Sequence, residues 1–284
     1  MIDVRNLTFT YPGLREPTIR SMDFYIPKGE IFGFLGPSGA GKSTTQKILI
    51  GVLKGYQGTV QVAHVELKDT GPDYYERIGV AFEFPNFYSK FTVLENLNLF
   101  RSLYTGKTVD QKRLLEQVGL EKAANLRVSQ LSKGMRMRLN FCRALLNDPD
   151  ILFLDEPTSG LDPVNAKLMK DLILEKKNEG KTVLITTHNM QAAEDICDRV
   201  AFIVDGQIKL IDSPRELKLR KGQQRIKIEY RKDGQLVHAV FPQHGLGEND
   251  SFLSLLKTHT IETIHSQEAS LEQIFIEVTG RELT

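Results

Sequence analysis

Hydrophobic and polar positions along the chain fall into successive regimes. Residues 2–9 alternate in the manner of a half-buried strand and stop at the turn signal Tyr11-Pro12-Gly13. Short strands are expected at 24–26, before Pro27-Lys28-Gly29, and again at 59–62 and 78–82. Residues 31–35 form an unbroken apolar run, the pattern of a strand buried on both faces, and 44–53 reads as the start of a helix. From 93 to 147 the period turns helical, with Leu94, Leu97, Phe100 and Leu103 on one face and Leu114, Leu115 and Val118 on another. Strands then return at 151–154, 183–187, 200–204 and 207–211, alternating with helices at 164–178 and 190–197. That alternation predicts a parallel sheet covered on both faces.

A charged stretch with Lys218, Arg220 and Lys221, ending at Gly222, marks a change of composition. Beyond it, 225–230 and 236–241 flank the hairpin signal Lys232-Asp233-Gly234, and Ser270-Leu271-Glu272-Gln273 opens a last helix with a capping box. The expected fold is α/β: a core with a mostly parallel sheet, an N-terminal antiparallel β subdomain, a helical insertion over about 85–147, and a small C-terminal α+β appendage. The domains are then 1–216 and 217–284.

Composition narrows this picture only by exclusion. Lys and Arg total 37 against 36 Asp and Glu, a net charge of +1, which gives no global case for a nucleic-acid partner. Cys142 and Cys197 sit among aliphatic neighbours without C-x-x-C spacing, so both are expected as small core residues in a reducing cytosol. No apolar run approaches the ~18–20 residues of a membrane span, and the N-terminus lacks a charged-then-apolar signal pattern. Any membrane crossing is expected to fall to another chain.

Two stretches bring chemistry. Gly36-Pro37-Ser38-Gly39-Ala40-Gly41-Lys42-Ser43-Thr44 matches G-x-x-x-x-G-K-[ST] between an expected strand and an expected helix. Glycines let backbone N–H groups turn inward around a phosphate, and the helix N-terminus adds partial positive charge. Lys42 is then expected on the terminal phosphates of a nucleotide such as ATP, and the Ser43 hydroxyl on Mg²⁺. The apolar run 151–154 ends in Asp155 and Glu156, at the strand end where open α/β sheets bind ligands. Asp155 is expected to hold Mg²⁺ through water, and Glu156 to orient or deprotonate the water attacking the γ-phosphate.

With these ordered motifs in place, residues 1–215 resemble the ATPase subunits of ATP-binding-cassette transporters, with a P-loop NTPase core. Leu131-Ser132-Lys133-Gly134-Met135 stands where that family carries its signature, normally Leu-Ser-Gly-Gly-Gln. Ser159-Gly160-Leu161-Asp162 matches the D-loop, His188 the switch histidine, and Tyr11 the aromatic that stacks on adenine. The resemblance implies a second such subunit, identical or not, facing head to tail. Ser132 and the Gly134 N–H would grip ATP bound to the partner's P-loop, Asp162 would organise the dimer contact, and His188 would sense the γ-phosphate. It further implies an integral membrane permease as partner and a cytoplasmic location at the inner face of the membrane.

The chain departs from the family pattern twice. Glu83 replaces the Q-loop glutamine; it is expected to contact the metal or the attacking water, although it adds negative charge beside a triphosphate. Lys133 and Met135 replace Gly and Gln of the signature, while Ser132 and Gly134 are kept. Around the Q-loop, Phe82, Phe84, Phe87, Tyr88 and Phe91 are expected to divide between packing under the helical block and a pocket for a partner's helix. The tail 269–280, with Leu271, Ile274, Phe275 and Val278 on one helical face, resembles the exporter branch that handles drugs, antibiotics and peptides. A soluble cassette ATPase acting on nucleic acid or ribosomes, and a nucleotide-sensing regulatory module, stay open as alternatives at this point.

Overall fold

A computed structural model describes residues 1–221, 225–232, 234–267 and 269–281. Within them the chain divides into two compact units, Met1–Asp212 and Ser213–Arg281. The first unit opens with β1 (Ile2–Phe9), β2 (Ile19–Ile26), β3 (Ile31–Leu35) and α1 (Lys42–Leu49). There follow β4 (Gln57–Val62), β5 (Val65–Glu66), β6 (Ile78–Ala81), then α2 (Val93–Arg101), α3 (Gln111–Gln117) and α4 (Lys133–Ala144). It closes with β7 (Ile151–Asp155), α5 (Pro163–Asn178), β8 (Thr182–Thr187), α6 (Met190–Ile196), β9 (Arg199–Val204) and β10 (Gln207–Asp212).

Alternating burial drives β1, β2, β4 and β5 into an antiparallel sheet of order β2-β1-β4-β5. The six-stranded sheet has order β10-β9-β3-β8-β7-β6, parallel throughout except for β10 at its edge. All five residues of β3 are buried, so it takes the middle of that sheet between β9 and β8. Because β3, β6, β7 and β8 run parallel, their C-terminal ends lie along one edge, which is where crossover loops leave room for a ligand.

The helical block joins this sheet through α4. Built on Gly79 of β6, a Cβ would lie 1.9 Å from the Ala144 carbonyl oxygen, so only glycine lets the end of α4 approach the strand this closely. Asn140 Nδ2 donates to Phe82 O at 2.7 Å, and Asn147 Nδ2 to Ile78 O at 2.9 Å, which pins the same contact with side-chain amides. In α2, capped by the reciprocal Thr92 and Glu95 bonds, the buried face is Val93, Asn96 and Leu97. Leu103 departs from the expected stripe: the helix ends at Arg101, the period lapses, and Leu103 is 70% exposed. Cys142 and Cys197 are both buried, and burial pushes each thiol well above its usual range.

The second unit begins at a helix that the charged composition concealed, α7 (Pro214–Lys221), with Ser213 Oγ accepting from Glu216 N. The boundary thus falls before α7, not within it. Beyond α7 come β11 (Arg225–Lys232), β12 (Gln235–Pro242), α8 (Asp250–Thr258), β13 (Thr260–Gln267) and α9 (Leu271–Thr279). The strands pair antiparallel in the order β12-β11-β13, and Ile226 and Ile228 meet Phe252 of α8 in a small core. Lys232 pairs with Gln235 across the hairpin; Asp233 of the turn signal, like Gly222, lies outside the described residues. The capping box of Ser270 and Gln273 starts α9, which buries Leu271, Ile274 and Phe275.

Candidate active site

Leu35 of β3 runs straight into the glycine-rich stretch, and the backbone dictates why those glycines stand there. A Cβ on Gly36 would sit 2.1 Å from the Ile203 carbonyl oxygen, and Gly41, the N-cap of α1, has φ +107. The turn brings Lys42 onto the first position of α1, where its ammonium donates to Gly36 O at 2.6 Å and Pro37 O at 2.9 Å. Lys42 is 8% exposed; burial lowers its pKa, and the charges of Glu156, Asp155 and Glu83 work against that shift.

Opposite this loop, β7 and β8 deliver the acids and their supports. Asp155 closes β7 and accepts from the Ser43 hydroxyl at 3.4 Å and from Thr186 Oγ1. Burial pushes its carboxyl above the usual range, against the hydrogen bond from Thr186. Glu156 follows with φ 48, a left-handed turn uncommon for a side chain of this kind. That turn aims its carboxylate at the end of β8. Thr187 Oγ1 donates to Oε2 at 2.8 Å, the His188 backbone N–H donates to Oε1 at 2.9 Å, and His188 Nδ1 lies 2.6 Å from the same oxygen.

Glu83, two residues past β6, completes the cluster. Together with Ser38, Lys42, Ser43, Asp155, Glu156 and His188 it lines a cavity of ≈320 Å³. Burial raises the Glu83 pKa, and the negative charges of Glu156 and Asp155 raise it further. Three carboxylates therefore face one ammonium, an arrangement short of positive charge. Among the described residues no three His, Cys, Asp or Glu side chains converge as an all-protein metal cage. A hydroxyl, carboxylates and room for phosphate oxygens instead suit Mg²⁺, which prefers hard oxygen ligands and shares them with substrate. The residues present fit magnesium nucleotide.

Four of the expected residues lie elsewhere. Tyr11 is half-buried, packed edge-on against Phe9 at 4.9 Å, with its hydroxyl 3.2 Å from Thr44 Oγ1. Ser132 caps α4, its Oγ accepting from Met135 N at 3.2 Å, and Gly134 follows in the first turn. Asp162 caps α5 ahead of Pro163, accepting from Val164 N and Asn165 N at 3.1 Å each, and from Asn165 Nδ2. None of these four lines the cavity. Reading by sequence missed Thr186 and Thr187, the hydroxyls that steer the two acids. Their signal was present as two adjacent polar residues closing the apolar run 183–185.

Of the five aromatics near Glu83, Phe87 packs edge-on against Phe100 at 6.0 Å and lies under the Arg143 guanidinium. Phe84, Tyr88 and Phe91 are exposed, at 79%, 58% and 43%. Phe82, with Val80, Leu103, Tyr104 and the Phe87 partners Phe100 and Arg143, helps line a mostly apolar cavity of ≈470 Å³. Among the described residues no helix is long and apolar enough to cross a membrane.

This geometry agrees with the comparisons to known proteins. A family model described as "ABC transporter" matches residues 19–159, and one described as "Fluoroquinolone efflux ABC transporter C-terminal domain" matches 224–268. A fluoroquinolones export ATP-binding protein of Mycobacterium tuberculosis is 56% identical over 285 aligned positions, covering 100% of this chain and 95% of the relative. A Nod factor export ATP-binding protein I of Burkholderia pseudomallei is 36% identical, with 93% of each chain covered. Among solved structures, a dimeric ATP-binding cassette in a post-hydrolysis state with ADP and Pi aligns at TM-score 0.68 and 29% identity. It covers 75% of this chain and 98% of its own. Matched along its whole length by such relatives, with the phosphate loop and the two strand-end acids in place, the chain belongs to the ABC transporter family as an ATP-binding protein.

Proposed function

We propose that this chain is the ATP-hydrolysing subunit of an exporter, pairing with a second cassette and driving a separate membrane permease from the cytoplasmic face. The observation that carries the reading is the meeting of Lys42, Ser43, Asp155, Glu156 and His188 at one cavity on the strand-end edge of the sheet. Lys42 and the N–H groups of 38–44 hold the phosphates. Ser43 and Asp155 are placed to hold Mg²⁺, with Glu83 in reach of the same space; when bound, the ion offsets charge on the terminal phosphates. Glu156, steadied by Thr187 and His188, orients the attacking water and takes its proton, while His188 contacts the γ-phosphate.

The rest of the cage comes from a second subunit. Ser132 and the Gly134 N–H sit at the start of a 12-residue helix, so they would meet the γ-phosphate held by the facing chain. Asp162 fixes the neighbouring loop and Tyr11 lies against the adenine. Helix-capping roles for Ser132 and Asp162 are compatible with this: the capping Ser132 oxygen accepts and leaves its O–H free to donate to phosphate, and the Asp162 carboxylate retains acceptor capacity. The exposed aromatics and the ≈470 Å³ cavity lined by Phe82, Phe100 and Arg143 are the surface for a permease helix.

For the cargo we favour drugs of the fluoroquinolone class. The relative at 56% identity is named for their export, and the second unit carries the matching C-terminal family model. Full-length similarity to export proteins also favours transport over action on nucleic acid or ribosomes. The test is twofold. Purified chain should hydrolyse ATP, with the Glu156→Gln rate down at least ~100-fold. Cells expressing the chain with its membrane permease should accumulate less fluoroquinolone than cells with the Glu156→Gln version. Equal accumulation would remove the cargo assignment, and an unchanged ATPase rate would remove the role of Glu156.

A further inference from the structure

Behind the phosphate cavity, one turn along α1 from Lys42, lies a polar side chain that the chemistry above does not use. Gln46 is 2% exposed, and its Nε2 has no hydrogen-bond partner among the described residues. An amide buried this deeply without its bonds is unfavourable, and the neighbouring Ile48 and Leu49 show what the same helix otherwise places in the core. The reason for a glutamine has to lie in what its amide faces.

It faces Thr186 of β8. Gln46 Oε1 stands 3.2 Å from Thr186 Oγ1, and the same hydroxyl meets Asp155 Oδ1. Thr186 is fully buried and has one hydrogen to give. A carboxylate only accepts, so Asp155 takes that hydrogen, and the Gln46 atom facing Oγ1 has to be a donor. Amide oxygen and nitrogen have nearly the same shape, and the surrounding network decides which of them faces where. With the amide turned over, its N–H goes to Thr186 Oγ1. A carbonyl oxygen then takes the partnerless place, which it tolerates better than an N–H does. Donation now runs in one direction, from Gln46 through Thr186 to Asp155, and each bond polarises the next. Ser43, three residues before Gln46 on α1, meets the same Asp155 oxygen at 3.4 Å. One helix thus supplies a residue placed to meet the ion and another that aims the acid opposite it.

We propose that Gln46 is a positioning residue for the magnesium site: its amide N–H holds the Thr186 hydroxyl on Asp155 and so ties the phosphate-loop helix to the end of β8. The inference rests on the magnesium-nucleotide reading of the cavity given above. Neither Gln46 nor Thr186 lines that cavity, so nucleotide without metal is held independently of both.

Calorimetry on the purified full chain, with the β,γ-imido analogue of ATP as probe, separates this from a packing role. Gln46→Met keeps the length of the side chain and removes both polar atoms. The Mg²⁺ concentration giving half the metal-dependent gain in affinity should rise about fivefold, the share of one neutral hydrogen bond, while affinity in EDTA stays within about twofold. Thr186→Val loses a bond to a carboxylate and should raise the same concentration about tenfold. The double variant should match Thr186→Val within about twofold, because Gln46 acts only through that hydroxyl. Without nucleotide, Gln46→Met should melt within about 3 °C of wild type, since an unpaired buried atom goes with the lost bond. Should it melt lower, Gln46→Leu takes its place in the cycle. An unchanged Mg²⁺ requirement, an equal loss of affinity in EDTA, or multiplicative losses in the double variant would overturn the inference. Analogue binding by wild type that ignores Mg²⁺ would overturn the reading beneath it.

Discussion

Thr187 gives the sharpest separation of catalysis from packing. It is 2% exposed, donates to Glu156 Oε2 at 2.8 Å and accepts from the Asn189 N–H at 3.0 Å. Thr187→Val keeps the volume and removes the hydroxyl. Asn189 is exposed and finds water, but the Glu156 oxygen is left in a nearly dry site. Losing a hydrogen bond to a charged group costs about 1.5–3 kcal/mol. For a unit the size of Met1–Asp212, that lowers Tm by roughly 3–12 °C at ~2–4 °C per kcal/mol. Thr187→Ser keeps the hydroxyl and loses one buried methyl, about 1 kcal/mol. The rates should then part company. With one carboxylate oxygen freed, kcat of Thr187→Val should fall by about tenfold, whereas Thr187→Ser stays within about twofold, and KM for ATP moves little in either. Phosphate-release kinetics beside thermal melts read both quantities. Equal losses in the two variants would mean packing alone matters there; a wild-type kcat in Thr187→Val would show that Glu156 needs no such support.

Other expectations concern the second subunit, the fold and the permease surface. Ser132→Ala and Lys42→Ala chains should each be poorly active, yet their mixture should regain part of the rate through one composite site; folded, dimeric mixtures that never recover would refute the shared cage. Gly79→Ala should cost more than ~3 kcal/mol, since its Cβ would enter the Ala144 carbonyl at 1.9 Å, and a melt within a degree or two of wild type would contradict the seat of α4 on β6. Tyr88→Ala removes an exposed ring that stacks on Phe91 at 5.3 Å and should cost no more than ~1.5 kcal/mol of stability while lowering transport per ATP hydrolysed; unchanged coupling would exclude Tyr88 from permease docking.

Much of this was written in short-range patterns. An unbroken apolar run marks β3 because both faces of a central parallel strand are covered, and glycines mark the loop after it because φ +107 and a 2.1 Å backbone approach admit nothing else. Asp155 and Glu156 were legible for the same reason, as charge at the end of an apolar strand. What stayed hidden depends on distant partners. The hydroxyls of Thr186 and Thr187 count as strand residues until Asp155 and Glu156 arrive beside them from β7. The helix α7 looks like a charged connector until Leu217 is seen to be buried.

The seat of α4 on Gly79 has a mechanical consequence. Its 12 residues span about 18 Å, with the signature turn at one end and the Q-loop strand at the other. A rod held at its base turns small rotations into large displacements. A tilt of about 10° at Gly79 would carry Ser132 through roughly 3 Å, the full length of a hydrogen bond. The glycine at this fulcrum does not line the phosphate cavity, yet it sets how stiffly the two ends of the lever are geared together.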